Sequence, residues 1–566
     1  MVDVLKDKFR EYDFSQSLIF LALLTLLFIF ILYPLIRILQ VAFTEGGQLS
    51  LSHFINFFER ALFRESFLNS LIAGLMAVFF GSLISLPLAF LTIKYDFKGK
   101  TLIQTLGVLP LVLPPYVGAV ALQLILGRSG MFNLLLLKWF DLSIPFMEGL
   151  RGVILVQTLH YFPFIFLNAS ASLANVDPSL EEMAQNMGAH GLRLFRKVTL
   201  PLMMPGYVAG ALLVFIKVID DLATPLILNY TKMLAPQAYL RVTTIGIEDK
   251  AGYVICVIMV TLSFISLWAA MKFLSLSEYA MVQRGGTGTP ISRKITGLRL
   301  GVVWAFSIFV LGISLIPHLG IFLLSFAKVW SFSILPKAYT LNHYVEIFYR
   351  TPHFVKNTLL YCLLSAGIGV LLGSLIAFLL IRGKIFGKGL LDAIAMMPLA
   401  IPGVVLATGY LRVFHGTPLP FVHQPLTSLW IILVIAYSAR RLPYTLRSSY
   451  AAIQQIHISL EEAALNLGAN RRKTFFKITF PMMAGGLVAG GLLAFITSSV
   501  ELSSTIMLVP RMEYGPLSYG IYIYMQSAVG RGPGAALGVV AILLVAIGTY
   551  IVNKVFAGGS GTAFKL

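Results

Sequence analysis

Runs of mostly apolar residues long enough to cross about 30 Å of hydrocarbon, near 20 residues each, recur throughout this sequence. Twelve of them fall near 18–42, 68–93, 102–127, 150–175, 205–229, 251–275, 299–327, 355–381, 389–413, 427–450, 485–509 and 532–556. Backbone groups in lipid must be satisfied internally, so each run predicts a helix. A β-barrel requires short segments of alternating polarity, and runs such as Leu18 to Ile36 do not alternate. Only 12% of the residues are charged, against about 25% in a soluble domain. Too little polar surface exists to cover a water-soluble globule. The expectation is an all-α membrane protein with about 12 transmembrane helices.

The formal charge of +19 does not point to nucleic acid, because of where it sits. Lys6, Lys8 and Arg10 precede the first run, and Lys94, Lys98 and Lys100 follow the second. Arg193, Arg196 and Lys197 follow the fourth, Arg382, Lys384 and Lys388 the eighth, and Arg471, Arg472 and Lys473 the tenth. All lie on one side if the amino terminus is inside, as the positive-inside rule requires. That predicts a multi-pass protein of the bacterial cytoplasmic (inner) membrane, surrounded by lipid, with both termini cytoplasmic. Arg440, Arg441 and Arg447 are expected to act as anchors on the same side. Cys256 and Cys362 lie inside predicted spans and give neither a disulfide framework nor metal-ligand spacing.

The chain is written twice. Ser179-Leu180-Glu181-Glu182 recurs as Ser459-Leu460-Glu461-Glu462, an offset of 280 that also relates Gly188 to Gly468 and Pro201 to Pro481. Upstream the offset is 288, relating Asn69 to Asn357, Ala89-Phe90 to Ala377-Phe378, and Pro110 and Pro114 to Pro398 and Pro402. Six spans per copy is an even number, so the copies should be parallel six-helix repeats, 1–285 and 286–566. Arg284 to Pro290, rich in glycine and threonine, is the expected join. A parallel pair can place one solute pathway between its halves.

Between the fourth and fifth spans of each copy lies a charged segment. Ser179 and Ser459 have the capping-box spacing to Glu182 and Glu462. Gly188 and Gly468 can turn the chain after about two helical turns. A short basic helix follows, with Phe195 or the pair Phe475 and Phe476 on its apolar side, before Pro201 or Pro481 begins the next span. The pattern predicts a helix-turn-helix knob in the cytoplasm.

Glu182, Gly188 and Pro201, and again Glu462, Gly468 and Pro481, have the spacing of the EAA loop. On these residues the chain resembles binding-protein-dependent ABC importer permeases, and the fusion of two copies resembles the ferric iron permeases among them. The first copy departs slightly, with Met183 where the family usually has alanine. The resemblance implies the type I ABC importer permease fold and an ATPase-coupling role for Glu181, Glu182, Gly188, Pro201, Glu461, Glu462, Gly468 and Pro481. It implies as partners two ATP-binding cassette subunits and an extracytoplasmic solute-binding protein. No catalytic residue is expected, and no cofactor bound by this chain; ATP is used by the partner ATPase. Gly99-Lys100-Thr101 is not a phosphate-binding loop, since Lys94 stands where its first glycine would be.

The resemblance implies ferric iron as passenger, with 2-aminoethylphosphonate, thiamine or a polyamine as alternatives. A secondary transporter is a rival reading, but it has no need of charged cytoplasmic knobs and more often shows inverted repeats. Asp220, Asp221 and Glu501 are candidate residues of the solute pathway, because a carboxylate within a span usually faces a cavity or a partner. Oxygen ligands suit hard cations. The open alternatives are a carboxylate capping a helix break at Pro225, or pairing with Arg241.

Overall fold

The computed structural model describes residues 14–276, 293–416, 418, 423–527 and 530–557, and these are overwhelmingly helical. The expected join from Arg284 to Pro290, with Lys6, Lys8 and Arg10, lies outside the described residues. The first repeat opens with α1, which runs through Phe14–Leu27, a π-turn at Phe28–Leu32, and Tyr33–Phe43. It continues with α2 (Ala61–Lys94), α3 (Lys100–Val108), α4 (Pro115–Leu126), α5 (Gly149–Ala174), α6 (Pro178–Asn186), α7 (Leu200–Asp220), α8 (Leu234–Leu240) and α9 (Lys250–Leu276). The second repeat follows the same order. Its helices are α10 (Leu298–Phe326), α11 (His353–Ile381), α12 (Lys388–Met396), α13 (Gly403–Phe414), α14 (Ile431–Gln454), α15 (Ile458–Asn466), α16 (Phe480–Ser499), α17 (Leu517–Met525) and α18 (Arg531–Ala557).

Among the described residues ten helices are long and apolar enough to cross a membrane, or eleven if α12 and α13 count as one bent span. The tenth expected span is present as α14, but Arg440, Arg441 and Arg447 make it too charged to meet that measure. The third and ninth spans are not continuous, as the apolar runs alone suggested. Pro114 and Pro402 disfavour helix at the residue before them, and α12 and α13 meet at 109°. The fifth and eleventh spans also end early, at Asp220 and Ser499 rather than near 229 and 509, where the chain turns extended or irregular.

Each repeat packs the same way. The second, fourth and fifth spans form a triad, α2–α5–α7 in one repeat and α11–α14–α16 in the other. The first span of each repeat reaches across to the broken span of the other, α1 against α13 and α10 against α4. A π-turn loosens the regular backbone pattern, and here the Phe30 carbonyl within it accepts a hydrogen bond from the Tyr410 hydroxyl at 2.8 Å. A two-residue parallel pairing of Tyr95–Asp96 with Arg293–Lys294 ties the first repeat to the start of the second.

Candidate functional site

The two knobs have the predicted turn but not the predicted cap. Gly188 and Gly468 have φ of +84° and +83°, a left-handed conformation that costs least without a Cβ. Helix α6 starts two residues before Ser179 would place it. The Asp177 carboxylate accepts from the Ser179 amide at 2.9 Å, and Pro178 fills the first helical position. Proline there loses no needed donor and already has helical φ. In α15 the equivalent cap is His457, whose Nδ1 accepts from the Ser459 amide at 3.3 Å. The Ser179 amide and hydroxyl hold the Asp177 carboxyl below its ordinary range.

Consecutive helical residues point about 100° apart, and this divides the labour of each glutamate pair. Glu181 turns inward, receiving Lys94 at 2.8 Å and the Thr199 hydroxyl at 2.8 Å. Glu461 does the same with Arg382 at 3.2 Å, while Arg382 also donates to the Ile456 carbonyl at 2.6 Å. Glu182 and Glu462 face solvent. The prolines do not begin the next span. Helix runs without interruption from Gly191 to Asp220, through a π-turn at Phe195–Thr199 just before Pro201. The same turn, Phe475–Thr479, precedes Pro481. The widened turn absorbs the hydrogen bond that proline cannot make.

The pathway candidates sit at the premature ends of the fifth and eleventh spans, and none is a free carboxylate. Asp221 accepts from the Thr224 amide at 3.1 Å and from the Gln157 side chain at 3.0 Å, so it caps the short helix Ala223–Ile227 that restarts after the break and contains Pro225. Arg241 pairs instead with Asp249 at 3.5 Å. Glu501 caps the matching break by accepting from the Ser504 amide at 3.2 Å. It also receives both Arg440 and Arg441. Arg440 then crosses to the other repeat, where it donates to Asp220 at 2.8 Å. Asp220 accepts a further bond from the Gly403 amide at 2.6 Å.

Arg440 and Arg441 are therefore not interface anchors. They are 6% and 7% exposed and bonded to carboxylates, because a guanidinium in a span needs a counter-charge that lipid cannot supply. A Cβ at Gly403 would lie 2.3 Å from the Arg440 Nη1 and 2.9 Å from the Ser503 Cβ, so a larger residue there would displace the guanidinium. Lys217, about one turn before Asp220 on α7, lies within electrostatic reach of Tyr444 and Glu501 in the other repeat. Arg440, Arg441, Gly403, Lys94 and Arg382 were all missed as site residues. Lys94 and Arg382 were visible in principle, being related by the 288 offset and each ending a second span.

Among the described residues no group of three or more His, Cys, Asp or Glu could hold a metal ion. Chemically, each knob presents an outer glutamate to solvent beside an inner one held in an ion pair, and Arg440 joins carboxylates of both repeats.

The chain is 25% identical over 502 residues to the ferric transport system permease protein FbpB of Actinobacillus pleuropneumoniae, covering 86% of this chain and 71% of that protein. A probable ABC transporter permease protein of Sinorhizobium fredii is 25% identical over 538 residues, 91% of each chain. The molybdenum transport system permease protein ModB of Haemophilus influenzae is 35% identical over 192 residues, 32% of this chain and 82% of that protein. The family model described as binding-protein-dependent transport system inner membrane component matches twice, at residues 71–277 and 369–557. Each match takes in one knob, the fourth and fifth spans of its repeat and part of the second. With this doubled match over most of its length, the chain belongs to the family of binding-protein-dependent transport system inner membrane components, as a multi-pass ABC importer permease of the type I fold with two fused repeats.

Proposed function

We propose that this permease imports ferric iron, delivered by an extracytoplasmic binding protein and driven by two ATP-binding subunits. One observation carries the passenger: relatives that span most of both repeats include proteins named as ferric transport permeases. The molybdenum permease similarity reaches only about one repeat. The buried carboxylates add nothing to the case for a cation, because Glu501 and Asp220 are neutralised by arginine and Asp221 is engaged in capping.

In this reading the repeats 1–285 and 286–566 are the two transmembrane halves, with both termini and both knobs cytoplasmic. Each knob seats in one ATP-binding subunit, where ATP is hydrolysed. Glu182 and Glu462 face that subunit, while Gly188 and Gly468 hold the turn. Closure of the ATP-binding subunits rocks the halves between outward and inward access. The solute passes along the repeat boundary beside Asp220, Asp221 and Glu501.

Purification of the complex with its ATPase, followed by mass measurement and reconstitution with binding protein, tests this reading. The expected result is one copy of this chain with two ATP-binding subunits, and ATP-dependent uptake of ferric iron. Two copies of this chain per complex, or uptake of molybdate in place of iron, would overturn it.

A further inference from the structure

Each knob is joined along the chain to the fourth and fifth spans of its repeat, and to the fifth by continuous helix. Helix runs on from Gly191 to Asp220, and from Phe475 to Ser499 in the second repeat. The second span touches the knob through side chains, and the same two contacts recur in both repeats. Lys94 at the end of α2 bonds Glu181 at 2.8 Å, and Arg382, immediately after α11, bonds Glu461 at 3.2 Å. The side chains of these four residues are 12–16% exposed. One turn earlier on each second span a phenylalanine meets the basic helix of the knob edge-on. Phe90 lies 5.3 Å from Phe195, and Phe378 lies 5.2 Å from Phe475. Lys94 and Phe90 map onto Arg382 and Phe378 at offset 288, and Glu181 and Phe195 onto Glu461 and Phe475 at offset 280.

We infer that Glu181 and Glu461 are positioning residues that clamp each coupling knob to the second span of its own repeat, so that the second and fifth spans move together when the ATPase moves the knob. This rests on the reading of α6 and α15 as coupling helices. The two glutamates of each pair then have separate tasks, the inner one holding the membrane helices and the outer one facing the ATPase. An ion pair largely withdrawn from water is less screened than a surface pair. Its basic member stands at the end of a long helix, where a small displacement is carried along the span. The aromatic contact adds an apolar bearing but fixes distance less strictly than the charge-assisted hydrogen bond beside it. The two clamps differ in detail. Glu181 also holds Thr199, near the start of the fifth span, whereas Arg382 also holds the Ile456 carbonyl just before α15.

The test uses the whole reconstituted complex carrying Glu181→Gln with Glu461→Gln, which keeps size and hydrogen bonding but removes the charges. The readout is solute transported per ATP hydrolysed, with subunit stoichiometry measured alongside. The expected result is a complex that assembles and hydrolyses ATP while transport per ATP falls by about tenfold, within the range of ordinary coupling energies. Exchanging the charges, Lys94→Glu with Glu181→Lys and Arg382→Glu with Glu461→Lys, should recover much of that ratio. A merely structural pair would change yield and not the ratio. An unchanged ratio in the double glutamine variant overturns the proposal, as does failure of the exchanged pairs to recover in an assembled complex. Loss of the ATPase from the double glutamine variant, with Glu182→Gln plus Glu462→Gln still assembled, would make the inner glutamates docking residues and also overturn it. The coupling reading itself fails separately, if Gly188→Val with Gly468→Val leaves the ratio intact at equal expression.

Discussion

The fifth span, in the first repeat, and the eleventh, in the second, break at the same place, yet the carboxylates at the two breaks are satisfied in different ways. At Asp221 the cap is completed by an amide, Gln157. At Glu501 it is completed by two guanidiniums, from Arg440 and Arg441. Those arginines stand at the positions of His160 and Tyr161 in the first repeat. The backbone requirement is shared, since any helix that restarts inside a membrane needs an acceptor for the free amides of its first turn. The charge is not required for that purpose. Where a neutral partner suffices in one repeat, the ion network of the other must have a separate consequence, and its geometry shows one: Arg440 reaches Asp220 and fastens one repeat to the other.

Removing Arg440 should break this contrast most severely. Arg440→Met leaves Glu501 with one guanidinium and Asp220 with none, and a stranded buried charge costs about 3–5 kcal/mol. Thermal unfolding of the detergent-solubilised chain should fall steeply, while His160→Met at the equivalent position changes it little. Similar losses at both positions would mean that the arginine fills space rather than binding the repeats.

A smaller effect separates the two caps. In Asp221→Asn the new amide can still accept from Thr224, and the Gln157 amide can reverse to present its oxygen, which now has no partner. The cost should be about 1 kcal/mol or less, the worth of an ordinary hydrogen bond. Glu501→Gln should cost several times more, because Arg441 keeps only the Thr497 carbonyl. Equal unfolding temperatures for the two variants would remove the distinction.

The smallest expected effect lies in the knobs. The Asp177 carboxyl has a depressed pKa in the folded chain, so its contribution is present above the ordinary value of 3.8 and is lost as pH falls below it. Hydrogen exchange at the Ser179 amide should therefore accelerate in acid beyond the intrinsic trend. Asp177→Asn keeps an accepting oxygen and should remove that acid dependence. Persistence of the dependence in the variant would place its origin elsewhere.

What was legible in the sequence was whatever depends on neighbours along the chain. The turns at Gly188 and Gly468 need a conformation that glycine adopts at least cost, and they are where the spacing put them. For the carboxylates at 221 and 501 the sequence left a solute pathway, a cap and a pairing with Arg241 open, and both carboxylates accept from a backbone amide as caps. The partners themselves were not legible, because Arg440 and Asp220 are 220 residues apart and no local pattern pairs them. Arg440 and Arg441 were misread for the same reason: on a linear scan an arginine in a span looks like an anchor until its counter-charge is located. The breaks in the third and ninth spans were hidden by apolar residues on both sides of Pro114 and Pro402, although those prolines had been noted as repeat markers.

The crossing of Arg440 to Asp220 also bears on which halves can pair. Near this boundary the first repeat contributes Asp220, Asp221 and Lys217, and the second Arg440, Arg441 and Glu501. The first set has one carboxylate in excess and the second one guanidinium. Two copies of the first repeat would bury surplus negative charge against itself, and two copies of the second surplus positive charge, each uncompensated in lipid. Only unlike halves balance. Such mismatches discriminate between partners by penalising the wrong pair rather than by strengthening the right one. Joining the repeats in one polypeptide thus does more than keep them close. It guarantees the single pairing in which the charges cancel, and it leaves each half free to lose the self-complementarity that a symmetric dimer would need.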